Sequence, residues 1–394
     1  MPVTKFTNLD FDQIKTQIKD YLRANSNFTD FDFEGSNLSV LIDALAYNTY
    51  ISAFNSNLVV NESFLDSATL RENVVSLARN IGYVPRSKSA ARASISFNVT
   101  ANSTSSEIKL QPGLVCVGRS NDSDVVFSIS EEINASTTVN SGIATASFGS
   151  VTSPIEVLEG TFLTSQFIVD GSLEQRFVLD NANIDTSSIV AYVGTPGVLG
   201  KQYKMIDNIV GISSISDTYL IQEVQDERYE LLFGDGIFGR KPQNGAVITV
   251  QYVVTSGSEG NGPEFFNFAG NFLGDNGQVI TPSVIPTINT VSAASNGGDI
   301  ESVDSIKYFA PRLYSSQYRA VTARDYESIV QQVYPNTESV SVVGGEEVDP
   351  PQFGTVLITI KPKNGEFVSD FDKTQILTKL KSYSLTGINQ KIVD

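Results

Sequence analysis

Apolar positions recur at helical spacing through the first ninety residues, alternate with polar ones from there to about residue 290, and return to helical spacing afterwards. From Asp10 to Ala24, the residues Phe11, Ile14, Ile18 and Leu22 fall three and four apart, with Lys15 and Lys19 on the other side, which predicts an amphipathic helix. Phe28 to Phe33 alternates aromatics with Asp30 and Asp32 before a turn at Gly35. Ser36 or Asn37 is placed to cap a second, longer helix that carries Leu38, Leu41, Ile42, Leu45 and Thr49 and continues through Ala53. Its small residues Ala44, Ala46, Ser52 and Ser56 permit close helix contact. Thr69-x-x-Glu72 reads as a capping box for a third helix bearing Leu70, Val74, Leu77 and Ile81, with Gly82 as its C-cap and Pro85 forbidding continuation. Three such helices expose more apolar stripe than they can hide from one another. Two readings stand: a small bundle packed on the rest of the chain, or a bundle completed by another protein. On the second, Ile14, Ile18, Leu38, Leu41, Leu45, Leu70, Val74 and Leu77 are the candidate partner interface.

After Arg86 the period is two. Ile95, Phe97 and Val99 alternate with Ser94, Ser96 and Asn98, and Pro112-Gly113 turns the chain into a strand over Leu114 to Val117. Further short strands are predicted at Asp124 to Ile129, Glu174 to Leu179 and Ile189 to Val193. The strongest hairpin signal joins Tyr229–Phe233, through a turn at Gly234-Asp235-Gly236, to a long strand over Ala246 to Val254, with Asn244-Gly245 just ahead of it. Beyond Gly297-Gly298, Ile306, Phe309, Ala310 and Leu313 form a helical stripe that Pro311 is expected to end or kink. Thr322-x-x-Asp325 caps a helix with Tyr326, Ile329, Val330 and Val333. Strands over Ser339 to Val343 and Thr355 to Lys361, a helix capped by Ser369-x-x-Asp372, and a strand over Ile388 to Val393 follow, with a short strand possible at Arg319 to Val321. The expected architecture is α+β and multidomain. It comprises a helical partner-binding region (1–90), a β-rich sandwich- or barrel-like domain (91–296), and a C-terminal ferredoxin-like α/β unit with a split βαβ (297–394).

Composition removes most chemistries. The chain of 394 residues has no histidine, no tryptophan and one cysteine, Cys116, which excludes an imidazole-based triad, a His-ligated zinc or haem, and an intramolecular disulfide. With 27 basic against 44 acidic residues the net charge is −17, so direct binding to nucleic acid, which rests on neutralising phosphates, is not expected. No apolar run reaches the length of a membrane span and the N-terminus lacks a signal-type apolar core, so the chain is expected to be soluble and not Sec-exported.

Several motifs tempt a chemical reading. Gly234-Asp235-Gly236-Ile237-Phe238-Gly239 spells G-x-G-x-x-G after a strand, but Arg240-Lys241-Pro242 leads into another strand rather than the helix that would receive a pyrophosphate. Gly234, Asp235, Gly236 and Gly239 are therefore read as a structural turn. Asp30-x-Asp32-x-Glu34-Gly35 starts like a calcium loop, yet its twelfth position is Leu41. Cys116 sits in the alternating run Leu114 to Val117 and reads as a small core residue. No catalytic residue, metal site or cofactor is assigned.

Three stretches together resemble a known family: Phe33 to Ile42 with Asn61 to Asp66 and Ala78 to Pro85; Phe233 to Arg240 with Tyr252 and Gly257-x-x-Gly260-Asn261; and Gly297-Gly298-Asp299-x-Glu301-Ser302 with Ala310-Pro311, Arg319 to Thr322 and Asp325-Tyr326. The combination is similar to the baseplate J-like family, in particular to ring-forming wedge subunits of large contractile-tailed bacteriophages, over about residues 10 to 335. The resemblance implies a non-enzymatic virion component of the tail baseplate, assembled in the host cytoplasm, that links wedges into a ring around the tail hub and couples baseplate change to sheath contraction. It implies as partners other baseplate wedge proteins, a second copy of the chain, and sheath-initiator and hub-proximal proteins. Members of this type often continue into a further dimerising region. The alternatives are a β-rich host-recognition or tail-fibre-associated protein, disfavoured by the absence of a repeat, and a carboxylate-based glycoside hydrolase.

Overall fold

A computed structural model describes residues 10–25, 36–120, 123–172, 175–206, 212–317, 319–334, 337–362, 367–368 and 370–393. The stretch from Phe28 to Phe33, the acidic run ending at Gly35 and the Ser369 cap lie outside them. Six helices are described: α1 (Phe11–Asn25), α2 (Asn37–Glu62), α3 (Arg71–Asn80), α4 (Val303–Ser315), α5 (Ala323–Val333) and α6 (Asp370–Leu380).

Contacts divide the chain into two compact units, Met1–Val84 with Val303–Ser315, and Pro85–Ser302 with Ser316–Asp394. α4 thus belongs with the N-terminal helices, although its place in the sequence groups it with the C-terminal segment. It also runs through Pro311 to Ser315, because the stripe Ile306, Phe309, Ala310 and Leu313 is buried along its whole length and outweighs one lost backbone bond.

In the helical unit the ends are set by local chemistry. Asp10 accepts the backbone N–H groups of Asp12 and Gln13 at the start of α1, and Ser36 accepts that of Ser39 at the start of α2. α3 differs from the expected capping box. Its N-cap is Leu70, whose side chain cannot cap, and the carboxylate of Glu62 from the end of α2 takes over. Glu62 accepts from the Thr69 N–H (2.8 Å) and hydroxyl (2.6 Å), the Leu70 N–H (3.3 Å) and the Asn73 amide (2.8 Å). At the other end Ile81 is the C-cap and Gly82, at φ 82°, occupies the position after it. The Tyr83 N–H returns to the Ala78 carbonyl and the Gly82 N–H to that of Arg79, a Schellman closure.

Burial pushes the pKa of Glu62 up, but these hydrogen bonds outweigh it and bring the carboxyl from 4.5 down to about 2. A depressed carboxyl contributes stability that is complete above its ordinary value and lost as pH falls from about 4.5 towards 2. Amide protection across residues 63–80, taken relative to the intrinsic exchange rate at each pH, is therefore expected to fall through that window. In Glu62→Gln the protection should be low already at neutral pH and unchanged by acidification.

The second unit is built on four sheets. In the eight-stranded sheet the order is Phe266–Phe268, Gly113–Ser120, Ser123–Ile129, Ile155–Glu159, Arg92–Asn102, Ile143–Phe148, Thr138–Asn140, with Ile288–Ser295 also paired to Arg92–Asn102. A bridge from Asn267 to Thr287 brings the Phe266 edge back beside the chain entering Ile288–Ser295, so the sheet curls towards a barrel. A four-stranded sheet (Val279–Ile280, Phe272–Gly274, Glu107–Leu110, Ile133–Ser136) shares its core. There Phe97 stands between Phe148, Phe268 and Phe272, with centroids 5.2, 5.1 and 6.3 Å away. Cys116 is fully buried in the same core, and burial pushes its thiol up to about 12.

The seven-stranded sheet runs Phe177–Val178, Tyr229–Phe233, Thr218–Glu223, Lys201–Met205, Ile184–Gly194, Val247–Val254, Thr161–Ile168. Tyr229–Phe233 and Val247–Val254 do not form the expected hairpin. The connection from Gly234 to Ala246 is too long for a tight turn, and both edges of Val247–Val254 are taken, by Ile184–Gly194 and Thr161–Ile168. Of the strand expected over Glu174 to Leu179, Phe177–Val178 is paired among the described residues.

The C-terminal sheet has three strands, Thr337–Gly344, Thr355–Pro362 and Asn389–Val393, and α5 is capped as read, by a reciprocal Thr322–Asp325 box. Thr355–Pro362 pairs antiparallel with the first strand and parallel, directly, with Asn389–Val393. A split βαβ requires a strand between the two parallel ones, and none lies there. At Arg319 to Val321 a single bridge, Ala320 to Ser384, takes the place of the short strand.

Candidate functional site: an apolar groove in the helical unit

The large apolar side chains of α2 are spread around the helix, so α1 covers only some of them and Val40, Leu41, Leu45, Tyr47 and Phe54 stay exposed. Ile14 of α1 and Ile42 and Ala46 of α2 are buried, Ile14 and Ile42 lining one cavity, and an ion pair joins Lys15 of α1 to Asp43 of α2 (2.5 Å). What this leaves is an open groove of about 510 Å³ lined by Ile14, Ile18, Tyr21, Leu22, Leu38, Leu41, Ile42 and Leu45, with Gln17 and Thr49 as its polar members. Leu41 is 65% exposed, Leu45 53% and Tyr21 68%. Side chains of this size left in water are the informative exception to burial, since each gives up roughly 1.5–3 kcal/mol that a covering surface would recover.

Five of the eight candidate interface residues, Ile14, Ile18, Leu38, Leu41 and Leu45, are brought together in this groove. The other three are not. Val74 is fully buried inside the unit and offers no surface, Leu77 is half-buried, and Leu70 is exposed at the start of α3. The helical stripe that linked them in sequence breaks at Leu70, which precedes the helix instead of lying in it. Tyr21 also completes the groove wall, and its place one residue before Leu22 puts it on the flank of the α1 stripe, outside the three-and-four spacing.

The Gly234 to Gly239 segment forms a closed turn. The Asp235 carboxylate accepts the Ile237 and Phe238 N–H groups, both at 2.8 Å, which holds it below the usual carboxylate range. Gly236 (φ 95°) donates to the Gly239 carbonyl, and a Cβ on Gly234 would lie 2.1 Å from the Gly239 carbonyl carbon. The turn offers no helix N-terminus to a phosphate. Among the described residues no group of three or more Cys, Asp or Glu side chains is placed to hold a metal ion, and no helix is long and apolar enough to cross a membrane.

Residues 10–83, which contain the groove, match the family model of the baseplate wedge protein gp6-like helical domain, and residues 322–393 match that of the baseplate structural protein gp6 C-terminal domain I. Baseplate wedge protein gp6 of Enterobacteria phage T4 is 29% identical over 408 residues, an alignment covering 98% of this chain and 59% of that protein. The chain thus spans less than two thirds of that relative's length. Two solved structures overlap more loosely. The anti-feeding prophage baseplate does so at a TM-score of 0.33 with 12% identity, over 99% of this chain and 80% of its own. The type VI secretion system TssK-TssF-TssG baseplate subcomplex does so at 0.39 with 7% identity, over 89% and 96%.

Proposed function

We infer that this chain, which carries two domains of the gp6-like baseplate wedge proteins, is a structural subunit of a contractile-tail baseplate. The observation that carries the reading is an alignment running through 98% of the chain to a baseplate wedge protein, in agreement with the three motif stretches read from the sequence. The groove supports a scaffold role. It is wide, open, almost wholly apolar and without a convergent set of polar groups, which suits a helix of another protein better than a small polar substrate.

In this reading residues 1–90 bind partners, with Ile14, Ile18, Leu38, Leu41 and Leu45 seating an apolar helix of a second baseplate subunit. Residues 91–302 and 316–394 form the body through which wedges are linked into a ring around the hub, while α4 belongs to the helical unit. Other wedge proteins, a second copy of the chain, and sheath-initiator and hub-proximal proteins are the partners, and the assembled form resides in the virion tail. Gly234, Asp235, Gly236 and Gly239 act as a conformational turn. The protein works without a catalytic centre or cofactor.

The test is to co-express the chain with the tail proteins encoded beside it and to weigh the purified material by light scattering. A stoichiometric complex with another baseplate subunit is expected. A chain that remains a stable monomer in the presence of every one of them overturns the reading.

A further inference from the structure

The strand Thr161–Ile168 is the last of the seven-stranded sheet, paired along its whole length with Val247–Val254 and with no strand on its other side among the described residues. In an antiparallel ladder the backbone groups of successive residues point alternately to the two sides. The two ends of the strand settle which set points which way. Val169 donates its N–H inward to the Ala246 carbonyl (2.9 Å), whereas Gly160 donates outward to the Val126 carbonyl (2.8 Å) and the Ile168 carbonyl accepts outward from the Gln175 carboxamide (2.7 Å). Odd-numbered residues therefore hold the ladder, and the N–H and C=O groups of Phe162, Thr164 and Gln166 face away from it. Among the described residues no hydrogen bond reaches these groups.

The fold closes this open stretch at both ends. At one, Gly160 gives its N–H to Val126 and takes the Ser128 hydroxyl on its carbonyl (2.7 Å). At the other, the Gln175 carboxamide holds the Ile168 carbonyl and the Asp170 N–H (2.9 Å), the groups that a further rung of a strand would need. Residues 162–166 are left as a slot between these two stops. Alternating N–H and C=O groups along an extended backbone are matched, donor to acceptor, by another extended backbone.

Edge strands are ordinarily guarded by lysine, proline, a bulge or sheer shortness. This one has none of these. Thr161 to Ile168 contains no charged residue and no proline, and its register with Val247–Val254 runs through eight consecutive pairs without a bulge. Leu163 and Phe167 pack against the core of the sheet, so the strand is pinned and cannot turn its edge inward. On its other face Thr164 and Gln166 are exposed, as is Ile168.

We propose that the 162–166 edge is a strand-addition site, which takes a short extended segment of a different protein as one more strand of the sheet. The neighbours set the chemistry of that segment. It is neutral and rich in Val, Ile and Thr, with an apolar side chain beside Ile168, because Thr164 and Gln166 offer an incoming strand no charge to pair. A second copy's own edge fits less well, since a strand of eight residues laid along the slot runs into the bonds at Gly160 and Ile168 that close its two ends. The contact draws on no residue of the α1–α2 groove, so its failure leaves the scaffold reading untouched.

The test uses the full chain and a fluorescent peptide with the sequence of residues 247–254 between paired lysines, because that is the strand this edge already accepts on its inner side. Saturable binding by fluorescence anisotropy is expected, with slowed amide exchange over residues 161–168. Thr164→Pro, and separately Gln166→Pro, each remove one outward N–H and set a ring in its place while sparing the inner ladder. Each should weaken binding by about tenfold or more, with a melting curve that overlays that of the parent. A version of the peptide N-methylated throughout has no N–H to give, probes the same bonds on the unaltered chain, and should not bind. A parent chain without saturable binding, proline variants or a methylated peptide that bind as the originals do, or a parent that dimerises through residues 162–166 and excludes the peptide, overturns the proposal.

Discussion

Leu45→Asp, alone or with Leu41→Asp, is expected to abolish capture of the partner helix while leaving the isolated chain folded. Both residues are more than half exposed in the groove, so a carboxylate there keeps its water as long as the groove is empty. Once a helix is seated, the same carboxylate is desolvated without a counter-charge, since the groove's polar members are Gln17 and Thr49. Adding the lost leucine burial of roughly 1.5–3 kcal/mol to that penalty weakens docking by about a thousandfold or more. The measurement is the mass of the co-expressed complex by light scattering, with the melting curve of the variant alone as control. Val74→Asp supplies the contrast. Its position is fully buried inside the unit, so the helices themselves should loosen and the melting curve should move. If Leu45→Asp and Leu41→Asp both assemble normally, the groove is not the interface.

Phe97→Ala is expected to produce the largest loss of stability from a single site in the β-rich unit. Its ring stacks on Phe148 at an interplanar angle of 18° and leans on Phe268 and Phe272, which themselves stack at 5.0 Å. Removing it takes out the shared neighbour of three rings drawn from two different sheets, so no single strand can move to fill the space. Large-to-small changes of this kind cost about 3–5 kcal/mol, which for a unit of this size lowers the melting temperature by about 10 °C. The expected calorimetric trace shows the β-rich unit melting early. An unchanged melting temperature would mean that the aromatic cluster does not hold the two sheets together.

What could be read in the sequence was what neighbouring residues decide among themselves. The α1 stripe, the Ser36 cap, the Thr322–Asp325 box and the alternation over Ile95 to Val99 each depend on side chains a few positions apart, and each stands in the structure. Ile14 with Ile18 on α1, and Leu38 and Leu41 with Leu45 on α2, could be grouped for the same reason, since a helical face is a local property, whereas the meeting of the two sets in one groove is not.

What was misread depended on distant pairing. Nothing near Tyr229–Phe233 says that its neighbours will be Thr218–Glu223 and Phe177–Val178 instead of the strand that follows it. Nothing near Thr69 says that a carboxylate from the end of the previous helix will cap α3 better than its own hydroxyl. The C-terminal sheet shows the same limit. Helix and strand order were legible, but whether a strand stands between Thr355–Pro362 and Asn389–Val393 is decided by sheet register, which local pattern leaves open.

The burial of Cys116 has a practical consequence. A thiol that is fully covered and pushed up to about 12 yields almost no thiolate at neutral pH, so maleimide reagents pass it by. A cysteine introduced at an exposed site such as Ser52 on α2 would then be the one position to take a fluorophore in the folded protein, with no native residue to remove first. Donor and acceptor labels placed this way on separate copies would report in real time when two chains meet.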